Sequence, residues 1–270
     1  MSADADRHPV PDFTLVIPTF NERQRLDVLL QRIFDACRPD GIAVEIVIVD
    51  DNSPDGTGLL ADEWASRRPV RVIHRAGKLG LGSAVLEGFS VARAQIVGVM
   101  DADLSHPPEL LPLLFATISG GGFDIVVGSR YVSGGGTTGW PLGRQILSRL
   151  ACTLARPLTP VRDAVSGFFL IRRERLERFQ TSVSGFKIGL ELIVRSHPRW
   201  IAEVGYLFVE RAVGESKLTW SECVGFLSQL TRLYAVALRA SMRRPACVTI
   251  PVAADLARRR APVSTSQIAP

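Results

Sequence analysis

Through the first half of the chain, short runs of continuous apolar residues alternate with segments whose apolar residues recur every third or fourth position. Phe13–Ile17 (FTLVI) and Val44–Val49 (VEIVIV) are runs of the first kind. Their β-branched side chains suit a pleated, buried surface. Between them Leu26, Leu29, Leu30, Ile33, Phe34 and Cys37 fall on one face of a helix. Asn21 is placed to cap that helix, and Pro39 and Gly41 to stop it. The alternation continues with a helix near Thr57–Arg67, a strand at Val70–His74, a helix near Leu81–Arg93 and a strand at Ile96–Met100. Pro107-Pro108 then opens a helix near Glu109–Ser119, and Asp124–Val127 is a further strand. Continuously apolar strands separated by amphipathic helices predict an α/β fold, a Rossmann-like and mostly parallel sheet flanked by helices. In such sheets ligands bind beyond the carboxyl ends of the strands, so the residues that follow each strand should carry the chemistry.

The second half is less regular. Ser133–Gly143 reads as a Gly-rich loop, followed by a helix near Arg144–Ala155, a strand-like Ser166–Ile171, a helix near Ile188–Arg195 and a strand over Ala202–Val209. Ser221–Ala240 is a longer amphipathic helix. Its stripe of Val224, Leu227, Leu230, Leu233, Tyr234 and Leu238 fits two roles: lying in a membrane interface or packing on the domain. The helix near Ile146–Leu158, with Arg144, Arg149 and Arg156, is a second candidate for the interface. These patterns divide the chain into a flexible N-terminus (1–11), one domain (12–242) and a mobile C-terminal tail (243–270) carrying Arg258–Arg260, Pro and Ser.

Composition narrows the function classes. Apolar residues make up 46% and charged residues 22% of 270, an ordinary globular balance that supports a large core. Cys37, Cys152, Cys223 and Cys247 are scattered without metal-ligand spacing, which predicts reduced, buried thiols. A net charge of +5 suits an anionic partner. No basic residues interleaved with aromatics form a nucleic-acid reader, so no nucleic acid is expected. Met1–Pro11 is polar, unlike a signal peptide, and no apolar run is long enough for a transmembrane helix.

Each early strand ends in a polar cluster. The clusters are Pro18-Thr19-Phe20-Asn21-Glu22, then Asp50-Asp51-Asn52-Ser53-Pro54-Asp55-Gly56-Thr57, then Asp101-Ala102-Asp103, then Gly128-Ser129-Arg130-Tyr131. On extended backbone, positions i and i+2 point to the same side, so Asp101 and Asp103 should present two carboxylates together. Close like charges favour a cation between them, and Mg²⁺ or Mn²⁺ takes one or two carboxylates plus phosphate oxygens. A diphosphate leaving group needs that neutralisation. Asp51 can accept hydrogen bonds from a base or ribose, Asp50 reads as structural, and Asp55 and Thr57 as turn and cap. The glycines of Gly77-Lys78-Leu79-Gly80-Leu81-Gly82 match neither a Walker nor a dinucleotide spacing and read as close-packing positions. His106, ahead of two prolines, reads as structural.

The blocks IPTFNE, VDDNSPDGT, GKLGLGSA, MDADLSHPP, GSRY, SGF, GFKIGLELIVR and GESKL occur in this order. With them the chain resembles the dolichyl-phosphate mannosyltransferase branch of the inverting family 2 glycosyltransferases, over roughly Phe13 to Ala240. The resemblance implies a GT-A fold and transfer of mannose from GDP-mannose to dolichyl or polyprenyl phosphate. It implies that Pro18, Phe20, Glu22, Val49 and Asp51 hold the guanosine, Phe20 standing where a Tyr is common. It implies that Asp101, Ala102 and Asp103 meet the donor diphosphate and the metal, with Ser105 at the position of a further ligand. Arg130, with Arg144 and Ser148, would grip the acceptor phosphate; Arg211 and Lys217 would close over the donor, assisted by Lys187.

Several cations from loops suit two anionic substrates, because the guanidinium fork matches phosphate. The expected reaction is one-step inverting displacement, in which an ionised phosphate needs no strong base. The implied partners are GDP-mannose, the lipid phosphate, a membrane surface and a small membrane-protein partner, with the enzyme peripheral on a cytoplasmic membrane face. A UDP-sugar donor, or a non-catalytic membrane adaptor with the same fold, are the alternatives.

Overall fold

A computed structural model describes residues 10–176, 187–209, 220–239 and 244–252 of the chain. The strands are β1 (Phe13–Thr19), β2 (Val44–Asp50), β3 (Val70–His74), β4 (Ile96–Val99), β5 (Ile125–Ser129), β6 (Gly136–Thr138), β7 (Phe169–Arg172), β8 (Trp200–Gly205), β9 (Leu207–Val209) and β10 (Ala246–Ile250). The helices are α1 (Arg23–Cys37), α2 (Thr57–Ala65), α3 (Leu81–Val91), α4 (Leu111–Gly120), α5 (Leu142–Ala155), α6 (Ile188–Arg195) and α7 (Trp220–Arg239). Eight strands form one sheet in the order β10-β8-β5-β7-β4-β1-β2-β3, and β6 pairs with β9 beside it. Every pairing in the large sheet is parallel except those of β7, which runs antiparallel between β4 and β5.

Alternation along β1 shows why both faces are covered. Phe13, Leu15 and Ile17 pack with α1, α2 and α4 through Leu26, Ile33, Trp64 and Leu114, while Val16 packs on the opposite face with Val85 and Phe89 of α3 and Ile188 of α6. All three residues of the first set are fully buried, each contributing about 1.5–3 kcal/mol. Gly88 lets α3 lie on β1: a Cβ there would stand 2.4 Å from Val16. In the Gly77–Gly82 segment Gly82 is buried in α3, but the expectation of close packing fails at Gly77 and Gly80. A Cβ at Gly77 would meet nothing, and Gly80 serves its conformation instead, at φ +97° before α3.

Two further expectations are revised, and the open choice for α7 is answered in part. The segment 202–209 is two strands in different sheets. Tyr206 breaks it by donating its N–H to Ser129 and accepting one from Gly136, which turns the chain towards β6. The part of the expected tail at 246–250 is β10, an edge strand parallel to β8, because the β-branched ACVTI segment extends an open sheet edge. Helix α7 buries Leu230 and Leu233 against α5 and α6, yet leaves Val224, Leu227 and Leu238 exposed. No described helix is long and apolar enough to cross a membrane. The four cysteines are unbridged, Cys37 and Cys152 buried and Cys223 and Cys247 partly so.

Candidate active site

Because β1, β2, β3, β4, β5 and β8 run the same way, their carboxyl ends share one edge, and the start of antiparallel β7 joins them. The first two polar clusters interlock there. The cap expected from Asn21 comes instead from the loop after β2, since Asn21 itself is left-handed at φ 58°. Ser53 Oγ accepts the Asn21 N–H (3.0 Å), Thr57 Oγ1 the Glu22 N–H (2.9 Å) and Asp55 Oδ2 the Arg23 N–H (3.2 Å). The two residues leading into α1, and the first amide of the helix at Arg23, are thus satisfied by the segment that follows β2. Asp55 Oδ1 also takes the Thr57 hydroxyl, and these bonds hold the Asp55 carboxyl below its ordinary pKa although burial opposes them. Asp50 is buried and structural: it accepts from the Thr19 hydroxyl and from the Ser53 hydroxyl and N–H.

Asp51, one residue on, faces the edge. Its Oδ1 lies 2.7 Å from a terminal nitrogen of Arg75, whose other terminal nitrogen donates to Ser83. Burial raises the Asp51 pKa, with Arg75 opposing that shift. Arg75 was not singled out from sequence, although it follows β3 directly and the strand-end rule reaches it. Phe20 lies under Lys78, whose ammonium is 3.6 Å from the ring centre. Glu22 is bound to Arg25 at 3.1 Å. Val49 and Ala102 are buried with their side chains in the core, so only their backbone reaches the edge.

The acidic segment departs from the extended geometry expected of it. Strand β4 ends at Val99, Asp101-Ala102-Asp103 is a turn, and Leu104 adopts a left-handed φ of 64°, unusual for a bulky side chain. Two devices hold the turn. Ser105 gives both its hydroxyl proton (2.5 Å) and its N–H (3.0 Å) to Asp103 Oδ1, so it orients that carboxylate. His106 Nδ1 accepts the Asp101 N–H (3.1 Å), and its ring stacks on Phe168 at 5.0 Å. Burial lowers the His106 pKa, more than the neighbouring carboxylates raise it, and keeps the ring neutral. Asp103 is 8% exposed, whereas the Asp101 side chain is 40% exposed.

Beyond His106 lies an arginine and aromatic cluster. His106 meets Phe208 at 5.9 Å; Phe208 meets Trp140 at 5.1 Å; Arg144 lies 4.2 Å over the Trp140 ring and Arg130 5.1 Å over it. Arg130 is buried, and its Nε and Nη2 each donate to the Asp163 carboxylate at 2.7 and 2.6 Å. Burial alone would lower its pKa, but Asp163 raises it further and keeps it charged. Ser148 accepts the Tyr131 hydroxyl at 2.8 Å. Lys187 exchanges two backbone bonds with the buried Gln229 side chain, tying the start of α6 to α7. Arg211 and Lys217 lie outside the described residues. Asp163, Trp140 and Phe208 carry no motif and were missed from sequence.

The glycosyl transferase family 2 profile matches residues 14–179. The chain is 42% identical over 224 residues to the dolichol-phosphate mannosyltransferase of Pyrococcus furiosus, covering 82% of this chain and 63% of that protein's length. It is 38% identical to the dolichol-phosphate mannosyltransferase of Saccharomyces cerevisiae, covering 83% of this chain and 87% of the relative. It is 41% identical to the polyprenol monophosphomannose synthase of Mycolicibacterium smegmatis, covering 79% and 83%. Among solved structures, glucosyl-3-phosphoglycerate synthase from Mycobacterium tuberculosis, in complex with Mn²⁺, UDP and glucosyl-3-phosphoglycerate, superimposes with a TM-score of 0.58. It is 22% identical, over 86% of this chain and 81% of that one, which places the fold in the GT-A class.

Proposed function

The chain belongs to glycosyl transferase family 2, and on that premise we propose that it transfers mannose from GDP-mannose to a polyprenyl or dolichyl phosphate at a membrane surface. The observation that carries this reading is a single sheet edge where an acidic turn and an arginine cluster flank one buried histidine. Asp101 lies 3.7 Å from His106 Nδ1, and Phe208 on the far side of that ring lies within 6.0 Å of both Arg130 and Arg144. The donor occupies the Asp51–Asp101 side and the acceptor phosphate the Arg130–Arg144 side.

The residues of the turn fit a divalent cation. Asp101 and Asp103 offer oxygen donors only, the set that Mg²⁺ or Mn²⁺ prefers. A Cβ at Gly167 would touch the Asp101 carboxylate at 3.5 Å, so the glycine leaves that carboxylate uncrowded. Asp101 and Asp103 would hold the ion, which when bound would neutralise charge on the leaving diphosphate. Ser105 fixes the orientation of Asp103. Asp51, Pro18, Phe20, Glu22 and the backbone of Val49 hold the nucleoside, with Lys187, Arg211 and Lys217 assisting on the donor.

An oxygen of the acceptor phosphate attacks the anomeric carbon of mannose; a carbon–oxygen bond forms there as the bond to GDP breaks, and GDP leaves with the electron pair. Configuration inverts, and no proton is transferred, because the phosphate is already ionised. His106 is neutral and uses Nδ1 on the Asp101 backbone, so it orients the turn. The buried indole N–H of Trp140 has no hydrogen-bond partner among the described residues, and a phosphate oxygen would satisfy it.

The test is transfer of radiolabelled mannose from GDP-mannose to polyprenyl phosphate in detergent with Mg²⁺ or Mn²⁺. The expected product is labelled lipid of inverted anomeric configuration, lost on chelation and in Asp103→Ala. Labelling only from UDP-glucose would replace the donor, and no labelling by folded protein from either donor would overturn the reading.

A further inference from the structure

Beside α5 lies a cleft of about 460 Å³, lined by Arg130, Tyr131, Arg149, Cys152, Arg156 and Arg162 among others. We propose that this cleft is a second anion site, which holds the phosphate of an anionic bilayer phospholipid while α5 lies in the membrane surface. The proposal goes beyond the transfer reaction and does not depend on the donor.

Charge makes the first argument. Four guanidinium groups face two buried carboxylates, and both carboxylates are committed below the cleft. Asp163 is bidentate to Arg130, while Glu203 accepts the Arg162 N–H at 2.9 Å and the Asp163 N–H at 3.1 Å. Arg149, Arg156 and Arg162 are exposed and form no ion pair among the described residues. Arg149 merely rests 5.9 Å from the Tyr131 ring centre, and Arg156 reaches the Pro160 carbonyl at 3.5 Å. A concave, cationic wall concentrates positive potential, and each guanidinium presents a fork that matches phosphate.

The second argument is the helix that forms the wall. Leu142, Ile146, Leu150 and Leu154 are 72%, 58%, 50% and 40% exposed, and their spacing of four puts them in one stripe along α5. Arg149 and Arg156 flank that stripe on the cleft side. An exposed apolar stripe bordered by arginines belongs to a helix lying in an interface, with the arginines at headgroup level. The bond from Tyr234 Oη to the Leu154 carbonyl (2.6 Å) braces α5 against α7.

Position separates this site from that of the acceptor. Arg144, Trp140 and Phe208 form the route to Asp101 through His106 and do not line the cleft, whereas Arg149, Arg156 and Arg162 do. Arg130, between the two sides, already spends two of its nitrogens on Asp163.

The test is co-sedimentation of the full chain with phosphatidylcholine vesicles, with and without phosphatidylglycerol. Three variants are compared: Arg149→Gln/Arg156→Gln/Arg162→Gln, the same three positions changed to Lys, and Ile146→Ser/Leu150→Ser. Circular dichroism confirms folding, and the KM for a short, water-soluble polyprenyl phosphate is measured alongside. The glutamine variant should lose roughly 100-fold of the affinity for anionic vesicles, at about a fivefold step for each of the three basic residues near the surface. The lysine variant should lose about tenfold, since the charge remains and the fork does not. The serine variant should bind both vesicle types more weakly. All should keep the KM for the soluble acceptor. Wild-type affinity in the lysine variant would reduce the cleft to diffuse surface charge, and a raised KM with vesicle binding unchanged would hand it to the acceptor. Failure of mannosyl transfer with vesicle binding intact would overturn the proposed reaction and leave this site standing.

Discussion

The two halves of the candidate site are built differently. On the β1–β4 side, short side chains in the loops just after the strands bond one another, as where Ser53, Asp55 and Thr57 cap α1. On the β5–β9 side, large side chains come from distant segments, with Arg130 on Asp163 and Trp140 on Phe208. The first half is a frame of many modest bonds that leaves the Asp101 carboxylate partly exposed. The second is a buried ionic and aromatic block in which the residues proposed to hold the acceptor also carry stability. Variants on the two sides should therefore fail in different ways.

The largest contrast is expected between Asp101→Ala and Asp163→Ala. Losing Asp101 should slow mannosyl transfer by about 1000-fold, the equivalent of several kcal/mol of charge stabilisation, while the urea midpoint stays put. Losing Asp163 leaves a buried guanidinium uncompensated and should lower the unfolding free energy by about 3–5 kcal/mol. The double variant Arg130→Met/Asp163→Leu should recover most of that stability in urea titration and none of the transfer. Equal loss of stability in Asp101→Ala and Asp163→Ala would erase the distinction between the halves.

A smaller effect sharpens the first half. Thr57→Val removes the acceptor of the Glu22 N–H and should cost about 1 kcal/mol, measured by thermal unfolding. Because the hydroxyl also bonds Asp55, the effects of Thr57→Val and Asp55→Ala should be less than additive.

The same difference explains what could be read from the sequence. Apolar runs located β1 to β5 within a residue or two, since a strand buried on both faces needs no tertiary information to be seen. The strand-end rule pointed to Asp51, Asp101 and Arg130, which the fold does bring to the same edge. It missed the conformation of the acidic turn, because the bonds from Ser105 and His106 that bend it are made by side chains outside any strand. It also missed Asp163, which lies 33 residues from Arg130 in a segment without periodicity. Strand β10 was hidden because an edge strand with one partner carries only a short β-branched run in a polar context.

The finest prediction concerns Phe20, where the donor half departs from its own pattern of short polar contacts. The Lys78 ammonium stands 3.6 Å from the ring centre, in an exposed setting where such a contact contributes about 0.5–1 kcal/mol. Phe20 is also the flat surface proposed for the base, so ammonium and base compete when they use the same face. Lys78→Met should then lose about that much stability in urea. It should lower the KM for the nucleotide-sugar by roughly two- to fivefold, the same energy released on binding, with kcat unchanged. A higher KM would instead place Lys78 among the residues that hold the donor and assign the base to the opposite face of the ring.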